Sequence, residues 1–416
     1  VTAPTRRPAS SLEAVTDLLD LRAPGGVGAA APDAPRLGVV AGRSGPRFLV
    51  PISYPDAAPE ACLAYLGLRD ARTRATRGAV GWALKAGGAR FVAKEQLVAD
   101  AGPGSLLHLL DELLRDDEHE PGLAVGIGLG RIDEVWKPTL QLFRPDGTPA
   151  AFVKVGLGPV ADRLVQTEAE TLAAWTRHPD PRLVVPELVA DTTWNGIRIV
   201  VVAPLPEDAR RLPASAPSAW PVRELDGVPQ RSPLGDAAWW TNRRAAAADH
   251  PTIDRLLDQV ERRHGSAGID GVAPAWARWH GDWVPWNLAR CHRGLVAWDW
   301  EYSEAGAPVG LDEVHGAYQQ ARVVEGQPIV HALGVARRAA HRLVDAGTSP
   351  GSPAALRDQA GTARAPSPFP SAAWLADLHV AMLLTRDLEL ERLAGVVPAH
   401  RSELEAAAEV ALGASR

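Results

Sequence analysis

Lysine is nearly missing from this chain. It occurs only at Lys85, Lys94, Lys137 and Lys154, so arginine supplies the other 40 of the 44 basic residues. Where a simple positive charge suffices the sequence writes Arg, and a Lys inside an apolar segment therefore needs a particular reason. Cysteine is scarcer still. Cys62 and Cys291 lie far apart without metal-ligand spacing, which argues against a disulfide framework or a zinc knuckle and fits a reducing compartment. There is no basic excess: 44 Lys and Arg against 50 Asp and Glu give a formal charge of −6, unlike a dedicated nucleic-acid binder. No apolar run approaches a membrane span, since the longest, such as Ile199–Leu205 with its internal Pro204, have strand length. Arg6 and Arg7 are not followed by an apolar signal core. A soluble, cytoplasmic protein with neither nucleic acid nor membrane as partner is expected; its oligomeric state is left open.

What is present suits two or three domains: 416 residues, 46% of them hydrophobic. Residues 1–120 read as a small α/β accessory domain, flexible over Ala23–Pro35. Its strand candidates are Leu37–Ala41, Phe48–Ile52 and Phe91–Ala93, with helices near Glu60–Leu68 and Leu106–Leu114 before the acidic turn Asp116–Glu118. Residues 121–205 change pattern. Leu123–Leu129, Val135–Phe143 and Ala150–Val155 read as strands, the last two joined by the turn Arg144-Pro-Asp-Gly147. Gln166–Trp175 follows as a helix, then Leu183–Val189 and Ile197–Ala203 as strands around Trp194-Asn-Gly196. Residues 206–416 begin loop-rich through Pro233 and become mostly helical, with candidates Ala237–Ala248, Ile253–His264, Trp374–Leu393 and Ser402–Leu412 and a loop over Gly347–Ser371. The expected class is α+β: an accessory domain, a five-stranded antiparallel lobe with one helix, and a helical lobe.

The chemistry is concentrated between Arg278 and Glu301. His280-Gly281-Asp282 is followed by Asn287 five residues after the Asp, and then by the apolar run Leu295–Trp298 that delivers Asp299. Phosphoryl transfer to a hydroxyl asks for such groups. One carboxylate takes or orients the hydroxyl proton, while a second carboxylate and a carboxamide oxygen hold the metal that bridges the phosphates. The spacing resembles the H-R-D-x-x-x-x-N catalytic loop of protein kinases with its later metal-binding Asp. Upstream, Lys154 stands in the apolar strand Phe152-Val-Lys-Val155, where a lysine contacting the α/β-phosphates and pairing with a helix carboxylate is expected. Glu168 is the better partner and Glu170 the fallback. Gly126, Gly128 and Gly130 fall where a nucleotide-covering loop belongs. G-x-x-x-x-G-K-[ST] occurs nowhere, which excludes a Walker-type site.

With Gly between His and Asp, and Asp299-Trp-Glu301 in place of Asp-Phe-Gly, the stretch resembles the aminoglycoside phosphotransferase and choline kinase-like family. Gly306-Ala-Pro308 leading to Asp312 resembles a further family segment. The resemblance covers about residues 122–318 and implies a bilobal protein-kinase-like fold, here with an extra N-terminal domain. It implies a small-molecule kinase that uses Mg²⁺ and ATP or GTP to phosphorylate a hydroxyl. On that reading Asp282 is catalytic, Asn287 and Asp299 bind metal, and Lys154, Glu168, Gly128 and Gly130 bind nucleotide. His280 and Asp312 then support the loop. The family loop commonly reads Asp-Leu-His-Pro-Gly-Asn, whereas this chain has Val284 and Trp286 at the His and Gly positions. Trp283, Trp286, Trp239 and Trp240 are candidate faces for a sugar ring. Glu301 and Glu304 could pair with ammonium groups, which favours a sugar, amino sugar or aminoglycoside-like acceptor. Two rival readings remain: a catalytically silent nucleotide-binding module, and a metal-dependent hydrolase built on His280, Asp282 and Asp299.

Overall fold

The computed structural model describes residues 9–24, 34–42, 45–115, 122–181, 183–212, 229–265, 273–348 and 370–413. The acidic turn Asp116–Glu118, and most of the two loops expected near 206–233 and 347–371, lie outside the described residues. In chain order the elements begin α1 (Ser11–Leu19), β1 (Arg36–Gly42), β2 (Gly45–Pro51), α2 (Ala57–Leu63), α3 (Ala71–Lys85), α4 (Ala89–Val92), β3 (Glu95–Val98) and α5 (Leu106–Leu113). They continue with β4 (Ala124–Gly128), β5 (Thr139–Phe143), β6 (Pro149–Val155), α6 (Pro159–Arg177), β7 (Leu183–Val184), β8 (Leu188–Trp194), β9 (Ile197–Val202), β10 (Arg210–Arg211) and β11 (Gln230–Arg231). Then come α7 (Ala238–Ala247), α8 (Pro251–His264), β12 (Ala275–Trp279), β13 (Leu288–Cys291), β14 (Gly294–Ala297), β15 (Glu304–Pro308), α9 (Leu311–Gln319), α10 (Ile329–Thr348), α11 (Ala372–Ala394) and α12 (Arg401–Gly413). Among the described residues no helix is long and apolar enough to cross a membrane.

The chain divides into two compact units, one of residues 1–212 with 289–298, the other of 213–288 with 299–416. The first is built on one eight-stranded sheet in the order β3-β1-β2-β4-β5-β6-β9-β8, antiparallel at every pairing. β4, β5, β6, β9 and β8 form a five-stranded antiparallel set with α6 after its third strand, but its fourth strand in sequence is Leu188–Trp194 and not the expected Leu183–Val189. Pro186 interrupts that run, and Leu183–Val184 pairs in parallel with β14 in another sheet. Two tight turns follow from local chemistry. Gly147, at φ +91, donates to the Arg144 carbonyl at 2.9 Å, and Asn195 and Gly196 both take the positive φ that a two-residue hairpin requires.

Residues 1–120 are not a separate module. β2 pairs with β4 through Phe48↔Gly128 and Leu49↔Ile127, so the N-terminal strands continue the sheet. On one face Val15, Leu18, Leu106 and Leu110 of α1 and α5 share a core with Val125, Ile127, Leu140 and Val153. The Trp194 indole donates to the Gly104 carbonyl at 2.9 Å and ties the far edge of the sheet to the start of α5. On the other face α2 packs Ala57, Ala61 and Cys62 against Ala124 and Phe143. The physical reason is the edge of β4: an unpaired strand edge attracts a partner, and the preceding segment supplies one. Two local expectations also change. Phe91–Ala93 belongs largely to the short helix α4, with the strand displaced to Glu95–Val98, and α3 runs through Arg72, Arg74 and Arg77 with little apolar periodicity to announce it.

The second unit surrounds a core of Trp239, Trp240, Trp276 and Trp374 with Leu256, Leu257, Leu375 and Leu378. Helices α7 to α12 pack around a small sheet in the order β11-β12-β15. Residues 374–384 of α11 are buried without interruption, so this helix runs through the core of the unit. Within it Asp377, fully buried, accepts from Arg263 at 2.6 Å and lies 2.9 Å from His264 Nε2, which fastens α8 to α11.

Candidate active site

Lys154 owes its surroundings to strand alternation. Ala151, Val153 and Val155 of β6 join the core under α1 and α5, which turns Phe152 and Lys154 to the opposite face. There Lys154 Nζ donates to Glu168 Oε1 at 2.7 Å, and the two residues are 6% and 2% exposed. Removing one partner of so buried a pair costs roughly 3–5 kcal/mol, so the pair holds the lysine nitrogen at a fixed place. Glu170, two residues on and therefore on another helix face, instead accepts from Gln166 at 2.8 Å. Pro159 in the first turn and Gly158 at φ +88 begin α6 well before the expected Gln166.

The three glycines have different surroundings. A Cβ on Gly126 would sit 2.9 Å from the Ala61 Cβ, so that glycine admits the close approach of α2. Gly128 faces open space at the end of β4, and Gly130 lies beside Trp136.

In the second unit β12 runs directly into the loop His280-Gly281-Asp282, where nearly every backbone polar group has a partner. Asp312, in the first turn of α9, accepts the His280 N–H at 2.7 Å and the Gly281 N–H at 2.9 Å. His280 is fully buried, 4.4 Å from the Trp300 ring between centroids, and its Nδ1 accepts the Asp282 N–H at 3.2 Å. That bond requires an unprotonated Nδ1 and so a proton on Nε2 alone, which suits a brace more than an acid or base. Gly281 stands at φ +84, where a Cβ would lie 2.1 Å from the Tyr302 carbonyl oxygen. The Gly281 carbonyl accepts from Arg386 Nη2 of α11 at 3.1 Å.

Asn287 closes the loop. Its Nδ2 donates to Asp282 Oδ2 at 2.8 Å and to the Asp282 carbonyl at 3.1 Å. Both amide donor contacts are thus spent on Asp282, and Oδ1 is left as an acceptor. Asp299 has φ +62, a left-handed backbone that few non-glycine residues adopt and that recurs at functional sites. Burial pushes the Asp282 carboxyl up to about 7, Glu301 and Asp299 push the same way, and Arg386 and the Asn287 hydrogen bond oppose them. Burial likewise raises Asp312 to about 7 against the pull of its two amides and of Arg386. Asn287 offers an amide oxygen and Asp299 a carboxylate, hard oxygen donors of the kind that Mg²⁺ takes.

The proposed acceptor groups fare unevenly. Trp239 and Trp240 are 1% exposed and Trp283 is fully buried, so all three are core side chains rather than faces for a sugar. Trp239 also carries the Arg243 guanidinium 3.5 Å above its ring. Glu304 is held by that same Arg243 at 3.1 and 2.8 Å, a bidentate pair that takes up its charge. Trp286 and Glu301 are half-buried and are the two that remain. With 14 Trp in the chain, packing was always a strong competitor for each ring. Arg386 was missed, and no spacing could have found it, because it comes from a helix 105 positions after Gly281.

No family model matches this chain, and no curated protein matches it. Among solved structures it is similar to a thermostable aminoglycoside phosphotransferase mutant in complex with AMP-PNP and hygromycin B, at TM-score 0.41 and 10% identity over 73% of this chain and 97% of that one. A spectinomycin phosphotransferase with ADP and spectinomycin follows at TM-score 0.36 and 11% identity, over 74% and 98% of the two chains. A putative fructosamine-3-kinase from Haemophilus somnus gives TM-score 0.35 and 10% identity, over 68% and 89%. Likeness of this degree does not match residue to residue, and the side-chain roles rest on the local geometry described above.

Proposed function

We propose that the chain is a small-molecule kinase, moving the γ-phosphoryl of ATP or GTP onto a hydroxyl of a small polar acceptor. The observation that carries this reading is the Asp282–Asn287 pair: a carboxylate in a buried, braced loop, hydrogen-bonded by the carboxamide five residues on. Asp282 accepts the proton of the acceptor hydroxyl as the oxygen attacks the γ-phosphorus. A base with a pKa of about 7 is well matched to that task near neutral pH. Asn287 and Asp299 would hold Mg²⁺, whose charge when bound offsets that of the phosphates. Lys154, oriented by Glu168, takes the α/β-phosphates, and the backbone at Gly128 and Gly130 covers them. His280 and Asp312 act on the loop and touch no substrate. For the acceptor, Trp286 and Glu301 favour a sugar, amino sugar or aminoglycoside-like compound.

The test is phosphoryl transfer from γ-labelled ATP and GTP, with Mg²⁺, to a panel of sugars, amino sugars, aminoglycosides and amino alcohols. Asp282→Asn should lower turnover on the order of 10²–10⁴-fold while leaving nucleotide binding intact. Wild-type binding without product on any acceptor would point to the silent module instead. Near-wild-type turnover in the variant would remove Asp282 from the reaction.

A further inference from the structure

We propose that Arg386, on α11, is the positioning residue of the catalytic loop, clamping the peptide that carries Asp282. The inference rests on the kinase reading for its functional part. The turn 280–282 has few polar groups, and their partners can be followed one by one. The N–H groups of His280 and Gly281 go to Asp312, and the N–H of Asp282 goes to His280 Nδ1. The Gly281 carbonyl belongs to the same peptide as the Asp282 N–H, and its bond comes from Arg386 Nη2 at 3.1 Å. That peptide is therefore held at both ends, by an imidazole from one side and a guanidinium from the other. Free rotation there is a real hazard: Gly281 has no Cβ to restrict it, and a turn of this peptide swings the Asp282 side chain with it.

The arginine is itself fixed by two aromatic rings besides that hydrogen bond. Its guanidinium lies 4.4 Å from the centroid of the Tyr302 ring and 5.3 Å from that of Trp279, the residues that flank the catalytic segments on either side. Cation–π contacts of this kind suit a planar, weakly hydrated guanidinium better than an ammonium. Tyr302 thus serves twice, since its carbonyl also excludes any side chain at Gly281. Arg386 is the meeting point of the strand before the loop, the loop itself and the segment after Asp299. All of these contacts are made by the chain's own residues.

Arg386→Ala and Arg386→Lys, in the full chain, separate positioning from bulk stability. Hydrolysis of Mg²⁺–ATP, with water as acceptor, supplies kcat and KM, and a fluorescent ATP analogue supplies nucleotide affinity. Arg386→Ala should lose roughly 10²-fold in kcat, as expected for a misplaced group, with nucleotide KM and Kd changed less than about twofold. Added guanidinium ion should restore part of that kcat to Arg386→Ala and none to Asp282→Asn, and Arg386→Lys should fall between. The Asp282 amide should exchange with solvent faster in Arg386→Ala than in the wild type, with or without nucleotide. A kcat within about threefold of wild type, an equal loss of nucleotide affinity, or an unchanged amide exchange rate would each overturn the clamp. A wild type that hydrolyses nothing and phosphorylates nothing would sink the kinase reading, and exchange at residue 282 would then decide the clamp alone.

Discussion

Gly281 and Asp282 make opposite demands on one turn. At Gly281 the left-handed backbone and the Tyr302 carbonyl, 2.1 Å from where a Cβ would stand, leave no room for a side chain. Gly281→Ala should therefore cost more than the roughly 1–3 kcal/mol of a strained backbone alone, and it should shift the loop. Thermal melts should show the stability loss, and phosphoryl transfer should fall at least as far as in Arg386→Ala. Asp282 gives a pH signature. Its carboxyl is raised to about 7 from an ordinary 3.8, mainly by burial. As a base it acts ionised, so kcat/KM should fall about tenfold per unit below pH 7 and level off above it. The sign for stability is the reverse. A raised folded-state pKa means tighter proton binding when folded, so the contribution of Asp282 is complete below its unfolded pKa and lost as pH rises through about 7. A pH–rate limb centred near 4 would show that Asp282 is not the buried base. These roles were legible in the sequence to different degrees. His280, Asp282 and Asn287 lie in one short loop whose spacing expresses its geometry, whereas the other half of that geometry comes from Arg386, which only tertiary packing brings near.

Among the elements, α11 shows what apolar patterning does and does not reveal. Its buried stretch from Trp374 to Leu384 was readable as a helix, but the same stretch contains Asp377, which no periodicity explains. In the structure this carboxylate joins Arg263 and His264 of α8 and lies 3.5 Å from Arg337 of α10, so one side chain links three helices. Asp377→Ala leaves Arg263 and Arg337 without their carboxylate in a half-buried setting. A loss of roughly 3–5 kcal/mol is expected, discounted toward the lower figure because both arginines are a quarter exposed. Urea unfolding should show a lower midpoint with an unchanged slope. An Asp377→Ala midpoint equal to wild type would mean that the ion pairs only offset their own desolvation. Elements with weak patterning are not legible in the sequence. α3 is rich in arginine, and Phe91–Ala93 is a run too short to distinguish a strand from one helical turn.

For the molecule as a whole, the boundary expected near residue 120 matters most. The composition does shift there, and a five-stranded pattern does begin there, but neither says whether the sheet stops. It does not stop, because β2 continues it from β4 and α1 and α5 cover one face of both halves. A chain beginning at residue 122 would keep every residue proposed to bind nucleotide, metal and acceptor. It would also lose Val15, Leu18, Leu37, Leu49, Leu106 and Leu110 from a shared core, at about 1.5–3 kcal/mol each. Six such losses are comparable with the roughly 5–15 kcal/mol by which a domain is stable, and β4 would be left with an open edge. The truncated chain should therefore aggregate or melt without a cooperative transition, and its Mg²⁺-dependent nucleotide binding should be absent. Gly126→Val makes the same point inside the intact chain. The added Cβ would meet Ala61 at 2.9 Å and push α2 from the sheet, so the melting temperature should drop although no proposed site residue has changed. If the chain from residue 122 instead unfolds cooperatively and binds nucleotide as the full chain does, residues 1–120 are an independent domain after all, and the continuous sheet carries none of the stability assigned to it.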